Sequence, residues 1–125
     1  MVSYKEGPHP ASFILSEAQG QRSRDNRTIG ENQDFAPGTI VTGGPDVPNV
    51  PWTTGVIGPG AAITIYGVKT GAGEQVDVAV ISRDAEVNRH CIAWPDGTTE
   101  AAKDTAAADL AALGIIVRGA APASP

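Results

Sequence analysis

The adjacent pair His90 and Cys91 is the most reactive combination of side chains in the sequence. Cysteine nucleophiles use a neighbouring imidazole because it accepts the thiol proton. Adjacent residues of an extended strand point to opposite faces, so this spacing alone does not bring the two groups together. A metal site would need more ligands, and His9 is the only other histidine. The pair therefore favours a structural Cys91 over a catalytic or metal-binding one.

Three carboxylates, Asp77, Asp84 and Glu86, are candidates for general acid–base chemistry. Two of them lie in a hydrophilic stretch and none belongs to a recognisable catalytic pattern, so we interpret them as solvated. Residues 71–73, Gly-Ala-Gly, lack the third glycine and the Lys-Ser/Thr of a phosphate-binding loop. We expect no enzymatic activity, no cofactor and no metal.

The charge of the chain limits the classes of partner that it can bind. The net charge of −5 argues against a nucleic acid or an anionic membrane as partner, since both require a basic surface. Arg22, Arg24 and Arg27 lie within six residues, but Glu17 and Asp25 accompany them. Real basic patches carry more cations and less acid, so this segment predicts solvated or salt-bridged arginines.

The chain is expected to form one domain that folds without oxidation. Its 125 residues match the usual size of a single domain, and a lone cysteine permits no intramolecular disulfide. No apolar run approaches the roughly 20 residues that span a bilayer. The opening MVSYKEGPHP lacks the apolar stretch of a signal peptide, so we expect a soluble protein made in a cytoplasm.

Short strands separated by turns should position the reactive and charged side chains named above. Glycine and proline make up 25 of the residues, a composition that favours turns over long helices. Two alternating runs, 62–68 and 75–81, are joined by the glycines of 71–73 and predict a β-hairpin. Pro37 and Gly38 suit the centre of a type II turn. Further extended segments are predicted at 13–15, 27–29, 39–42, 91–94 and 115–117.

A long surface loop is predicted at 43–60, which holds four prolines and five glycines. The loop carries Trp52. The indole ring of this tryptophan either stacks on a sugar or a partner or covers the end of a barrel, and the sequence leaves both open.

One helix is predicted, over 99–113 with Thr98 as N-cap. Its buried face would carry two alanines and two leucines at helical spacing: Ala102, Ala106, Leu110 and Leu113. Gly114 is expected to stop the helix, with Ile115 touching Leu110. Together these elements predict a mainly β fold with one short C-terminal helix and an extended N-terminal arm.

Several segments together resemble the head decoration proteins of tailed bacteriophages. They occur in the family's order and cover most of the domain: FILSEA at 13–18 with RSRDNRTI at 22–29, APGTIV at 36–41, SRDAEVN at 82–88 and LAALGIIVR at 110–118. IAWP at 92–95, before the helix, is similar to the lambda-like members.

The resemblance implies a small β-barrel or β-tulip-like domain. It also implies a structural, non-enzymatic protein without a cofactor. It implies a homotrimer on the outside of an expanded head at three-fold positions, where it clamps adjacent capsomers and contacts the major capsid protein, with neither nucleic acid nor membrane as partner. The expected location is the outer surface of the virion, after synthesis in the host cytoplasm.

The resemblance also divides the chain into an arm at 1–17, a β-rich domain at 18–118 and a coil at 119–125. The capsid-contacting arm residues would be Ser12, Phe13, Ile14, Leu15, Ser16 and Glu17, with Phe13 or Ile14 as apolar anchor. The alternative for the arm is packing on its own sheet.

Arg22, Arg24, Arg27 and Trp52 are candidate capsid or trimer contacts. The alternative function is a small β-rich module that binds carbohydrate or a host surface through Trp52.

Overall fold

The computed structural model describes residues 11–19 and 22–119, so the first ten residues of the predicted arm and most of the C-terminal coil lie outside the described residues. Within these two ranges, ten strands and one α-helix follow in chain order: β1 (Ile14–Glu17), β2 (Arg24–Ile29), β3 (Asp34–Phe35), β4 (Ile40–Thr42), β5 (Val50–Pro51), β6 (Ala62–Thr64), β7 (Val68–Lys69), β8 (Val76–Ile81), β9 (Ala85–Asn88), α1 (Glu100–Ala111) and β10 (Ile115–Arg118).

The strands form three sheets. The largest has the order β2-β8-β6-β4-β5 and is antiparallel throughout. A second has the order β1-β9-β10, in which β10 runs parallel to β9, and β3 pairs with β7 in the third. The predicted mainly β fold with one short C-terminal helix is confirmed, as open sheets without a closed barrel.

Both faces of the five-stranded sheet are buried. In β8, Val78 and Val80 face a small core, while Ile81 points to the other face and joins the main core. This follows from the two-residue period of a strand. The main core also receives Phe13 from the N-terminal segment and Leu110 from α1, so it joins the two larger sheets and the helix.

The predicted hairpin is confirmed in its pairing, and the chain also turns at 71–73 as predicted, with the Glu74 N–H donating to the Gly71 carbonyl at 3.2 Å. β6 pairs with β8 in the register Ile63↔Ile81 and Thr64↔Val80. The chain leaves the sheet after Thr64, because β7 turns aside to pair with β3. The predicted run 62–68 is therefore two strands. The expected turn at Gly38 is confirmed by its φ of +84°.

The strand predicted over 91–94 is wrong, because the chain turns there instead. Residues Arg89–Cys91 form a 3-10 helix, and the Asn88 side chain accepts a hydrogen bond from the His90 backbone N–H at 2.9 Å. The Trp94 indole N–H then donates to the Arg89 carbonyl at 2.9 Å. Local capping therefore outweighs the β propensity of this segment.

The helix begins one residue later than predicted and ends two residues earlier. Thr99, not Thr98, is the N-cap, and its hydroxyl accepts the Ala102 N–H at 3.1 Å. The Thr98 hydroxyl donates to the Pro95 carbonyl at 2.6 Å, so it is engaged in the preceding turn. Ala106 and Leu110 are buried as predicted.

The chain turns from α1 into β10 at Gly114, two residues after the C-cap Ala112. Gly114 has a φ of +89° and its N–H donates to the Ala111 carbonyl at 3.0 Å. Because a Cβ at this position would lie 3.2 Å from the Asp84 backbone nitrogen, glycine also permits close packing. Ile115 then enters β10 fully buried.

Candidate functional site

The N-terminal segment enters the domain through β1, an edge strand of the three-stranded sheet. β1 pairs with β9 in the register Ile14↔Val87 and Ser16↔Glu86. Two steps along β1 thus match one step along β9, so Leu15 is the extra residue of a β-bulge. The Leu15 side chain is 48% exposed. An apolar side chain therefore faces solvent on the edge strand of a sheet.

Phe13, one of the two predicted anchors, is fully buried in the chain's own main core. Its carbonyl accepts the Asn88 N–H at 2.7 Å, which fixes the segment to β9. Ile14 is half-buried and packs against the same core. The core therefore already encloses Phe13, whereas Ile14 is only partly covered and its role as anchor stays a prediction.

The remaining predicted arm residues lie at the surface to different degrees. Ser12 and Ser16 are exposed, and the Ser16 hydroxyl donates to a carboxylate oxygen of Glu86 at 3.2 Å. Glu17 is half-buried and ends β1. The segment from residue 11 to residue 17 thus packs on its own sheet. The capsid-contacting role given to these residues stays a prediction.

Arg24 forms a forked ion pair with Glu17. Its Nη2 lies 2.6 Å and its Nε 3.1 Å from Glu17 Oε1, and Ser23 donates to Oε2 at 2.6 Å. The hydrogen bond from Arg24 is the largest cause that lowers the pKa of Glu17. This pair ties the end of β1 to β2 and agrees with the predicted salt-bridged segment.

The other two arginines of the cluster have different surroundings. Arg22 is exposed, and its carbonyl accepts from Arg83 at 2.9 Å. Arg27 is only 7% exposed, and its Nη1 donates to the Gly60 carbonyl at 2.7 Å. The structure therefore does not gather the three arginines into one basic patch. Of the three, Arg22 is the one exposed at the surface.

Trp52 lies in the main core and is 6% exposed. Its indole N–H donates to the Gly55 carbonyl at 3.2 Å, and its backbone N–H donates to the Ile40 carbonyl at 2.8 Å. A stacking platform needs an open ring face, so this placement favours the interpretation that Trp52 closes the core.

Asn49 organises the loop that precedes Trp52, a role that the sequence reasoning missed. Its side chain is fully buried and bonds Gly44 and Val47 of the same loop, with Nδ2 donating to their carbonyls at 2.8 and 2.9 Å. The Asn49 backbone N–H also donates to the Thr28 carbonyl at 2.7 Å. The signal in the sequence was an asparagine among prolines and glycines, because an asparagine side chain can hydrogen-bond the backbone of its own turn.

A groove of about 600 Å³ lies between the loop after Trp52 and the N-terminal turns of α1. Val56 lines it and is 82% exposed, more than any other large apolar side chain in the described ranges 11–19 and 22–119. Sequence reasoning gave no signal for this residue.

The cysteine of the reactive pair lies against the core. Cys91 is half-buried against the main core, as expected for a structural cysteine. Within the described ranges, no group of three or more His, Cys, Asp or Glu side chains is placed to hold a metal ion. In the same ranges, no helix has the length and apolarity to cross a membrane.

The fold is that of a small, mainly β domain with one short helix. Residues 3–115 match the family model of the bacteriophage lambda head decoration protein D, which covers most of the chain. The chain therefore belongs to this family of phage head decoration proteins, and its role is structural, at the phage capsid of the virion. The comparisons with curated proteins and with solved structures gave no match.

Proposed function

We propose that the protein binds the outside of the expanded phage head as a homotrimer at three-fold positions and clamps adjacent capsomers. Family membership supports the capsid role. The observation that carries the mode of attachment is the bulged edge strand β1 with the exposed Leu15. We place the apolar anchor at Leu15, because Phe13 is committed to the core.

The residues before β1 supply the rest of the contact with the major capsid protein. An extended segment that adds a strand to a partner sheet gains affinity from backbone hydrogen bonds, while pockets for alternate side chains give specificity. Ordering such a segment costs about 1–2 kcal/mol per residue, which the new bonds and an anchor must exceed. Three copies acting together make a modest single contact tight.

The charge of the protein agrees with a protein partner. A net charge of −5 repels nucleic acid and anionic lipid, so we propose neither as partner. The alternative of a carbohydrate- or host-surface-binding module lacks its platform, because the Trp52 ring is buried and its indole N–H is already bonded.

Co-sedimentation with expanded, undecorated capsids tests the proposal. The full chain should bind saturably, in multiples of three copies per site. A variant lacking residues 2–10 retains Phe13 and β1, so it should keep the melting temperature of the full chain and lose most of its capsid binding.

A variant lacking residues 2–17 is the control, since it also removes Phe13 from the core. It should unfold at a lower temperature. Full binding by the variant lacking residues 2–10 would contradict the arm contact, and absence of binding by the intact chain would contradict the whole proposal.

A further inference from the structure

We infer that Arg27 and Arg83 form a subsite that binds a carboxylate, the aspartate or glutamate side chain of a neighbouring protein on the capsid. The inference rests on the proposed function for the source of this carboxylate, which is the major capsid protein or a second copy of this chain. Carboxylate binding as such is a property of the isolated chain and is tested there.

The first argument is the buried guanidinium of Arg27. Its Nη1 donates only to neutral acceptors, the Gly60 carbonyl at 2.7 Å and the Asn49 side-chain oxygen at 3.5 Å. Within residues 11–19 and 22–119, Arg27 Nε is the one buried side-chain nitrogen or oxygen that lacks a hydrogen-bond partner. A buried charge is costly unless an opposite charge pairs with it. Arg27 therefore keeps both a charge and a donor for an anion.

The second argument is the shape of the donor. A guanidinium binds a carboxylate best through two parallel N–H groups. Because the bonds of Arg27 leave from Nη1, the edge formed by Nε and Nη2 retains this forked geometry. Nε is covered in the isolated chain, so a two-point contact requires a small outward shift of the side chain. The Nε–H is thus also the group whose signal reports binding.

The third argument is the local balance of charge. Asp25 lies two positions before Arg27 in β2 and so points to the same face. It already accepts the Ser82 hydroxyl at 2.7 Å and forms an ion pair with Arg83. Burial lowers the pKa of Arg27, Asp25 raises it, and the positive charge of Arg83 lowers it again. Two guanidinium groups therefore share one carboxylate, and a second carboxylate would balance them.

The fourth argument is access from the surface. The Arg83 side chain is 44% exposed, and its Nη1 donates to the Arg22 carbonyl at 2.9 Å, which holds it in place. An incoming carboxylate thus meets an ordered surface arginine first and the buried Arg27 behind it. The chain as a whole carries a charge of −5, so this local excess of positive charge selects an acidic group of the partner.

NMR of the arginine side chains in the isolated full chain tests the subsite. Sodium acetate is added to ¹⁵N-labelled protein, with sodium chloride at the same ionic strength as the reference. The Arg27 Nε–H signal, assigned by its loss in Arg27→Lys, should shift saturably with acetate and not with chloride. The Nε–H of Arg118, which already donates to Glu86 at 2.9 Å, is the internal control. An equal response of Arg27 to both salts would overturn the subsite.

Carbodiimide coupling on decorated capsids identifies the source of the carboxylate. The reagent activates a carboxylate, and a lysine amine in contact with it forms an amide while the reagent leaves as a urea. In Arg83→Lys, the new amine should couple to an Asp or Glu of the major capsid protein or of a second copy. Mass spectrometry of the linked peptides distinguishes these two sources. Coupling confined to Asp25 would overturn the contact with a neighbouring protein.

A matched pair of charge variants measures the contribution to capsid binding. Arg83→Gln and Lys69→Gln each remove one positive charge from an exposed side chain, and Lys69 lies in β7. Arg83→Gln should weaken capsid binding at least about tenfold, and Lys69→Gln should bind within about twofold of the unsubstituted chain. Equal binding by both variants would overturn the carboxylate contact alone. Absence of binding by the unsubstituted chain would overturn the proposed function, whereas the acetate response of the isolated chain would stand.

Discussion

Substitutions of Phe13 and of Leu15 should affect different properties: the first should lower stability, and the second should weaken capsid binding. Phe13 is fully buried in the main core, whereas Leu15, only two residues later, is 48% exposed at the bulge. Phe13→Ala leaves a cavity and should cost about 3–5 kcal/mol of unfolding free energy. For a chain of this size, that loss lowers the melting temperature by about 10–20 °C. Leu15→Ala should cost less than about 1 kcal/mol.

Capsid binding should respond in the opposite order. If truncating Leu15 weakens each arm contact by about 1 kcal/mol, three copies acting together compound the loss to about 100-fold in apparent affinity. Thermal unfolding measures the effect on stability. Co-sedimentation, carried out well below the melting temperature of Phe13→Ala, measures the effect on capsid binding. Equal melting temperatures for Phe13→Ala and the unsubstituted chain would refute the core placement. Unchanged binding by Leu15→Ala would refute the anchor.

Three further predictions concern stability. Gly114→Val should lose about 1–2 kcal/mol or more on urea unfolding, because the site has a φ of +89° and faces the Asp84 backbone; an unchanged midpoint would contradict this. Asn49→Ala should lose about 1–3 kcal/mol by leaving buried loop groups unpaired, and a smaller loss in the same assay would show that water replaces them. Hydrogen bonding to Arg24 lowers the pKa of Glu17 from 4.5, so the Glu17 contribution is present above that pH and is lost as the pH falls through the folded-state pKa. The stability difference between the unsubstituted chain and Glu17→Gln should therefore shrink in acid, and a constant difference from pH 7 to pH 3 would contradict the pairing.

Local patterns determined much of the fold. Alternation over 75–81 identified β8, and the left-handed turns at Gly38 and Gly114 followed from glycine's tolerance of positive φ. These features depend on near neighbours in the chain, so sequence is sufficient to predict them. The order of the quoted motifs likewise led to the head decoration family, which the family model supports over residues 3–115.

Long-range contacts decided the remaining features. Phe13 belongs to a segment that looks like a free arm, and only its packing among distant residues such as Ile63 and Leu110 places it in the core. The exposure of Leu15 depends on a pairing slip against β9, which no local pattern encodes. The groove beside Val56 lies between two segments that are distant in the chain, and the Ile57 N–H donates to Asp109, 52 residues further along. Sequence thus specified β8, the turns at Gly38 and Gly114 and the family, whereas the tertiary structure decided which apolar side chains remain for a partner.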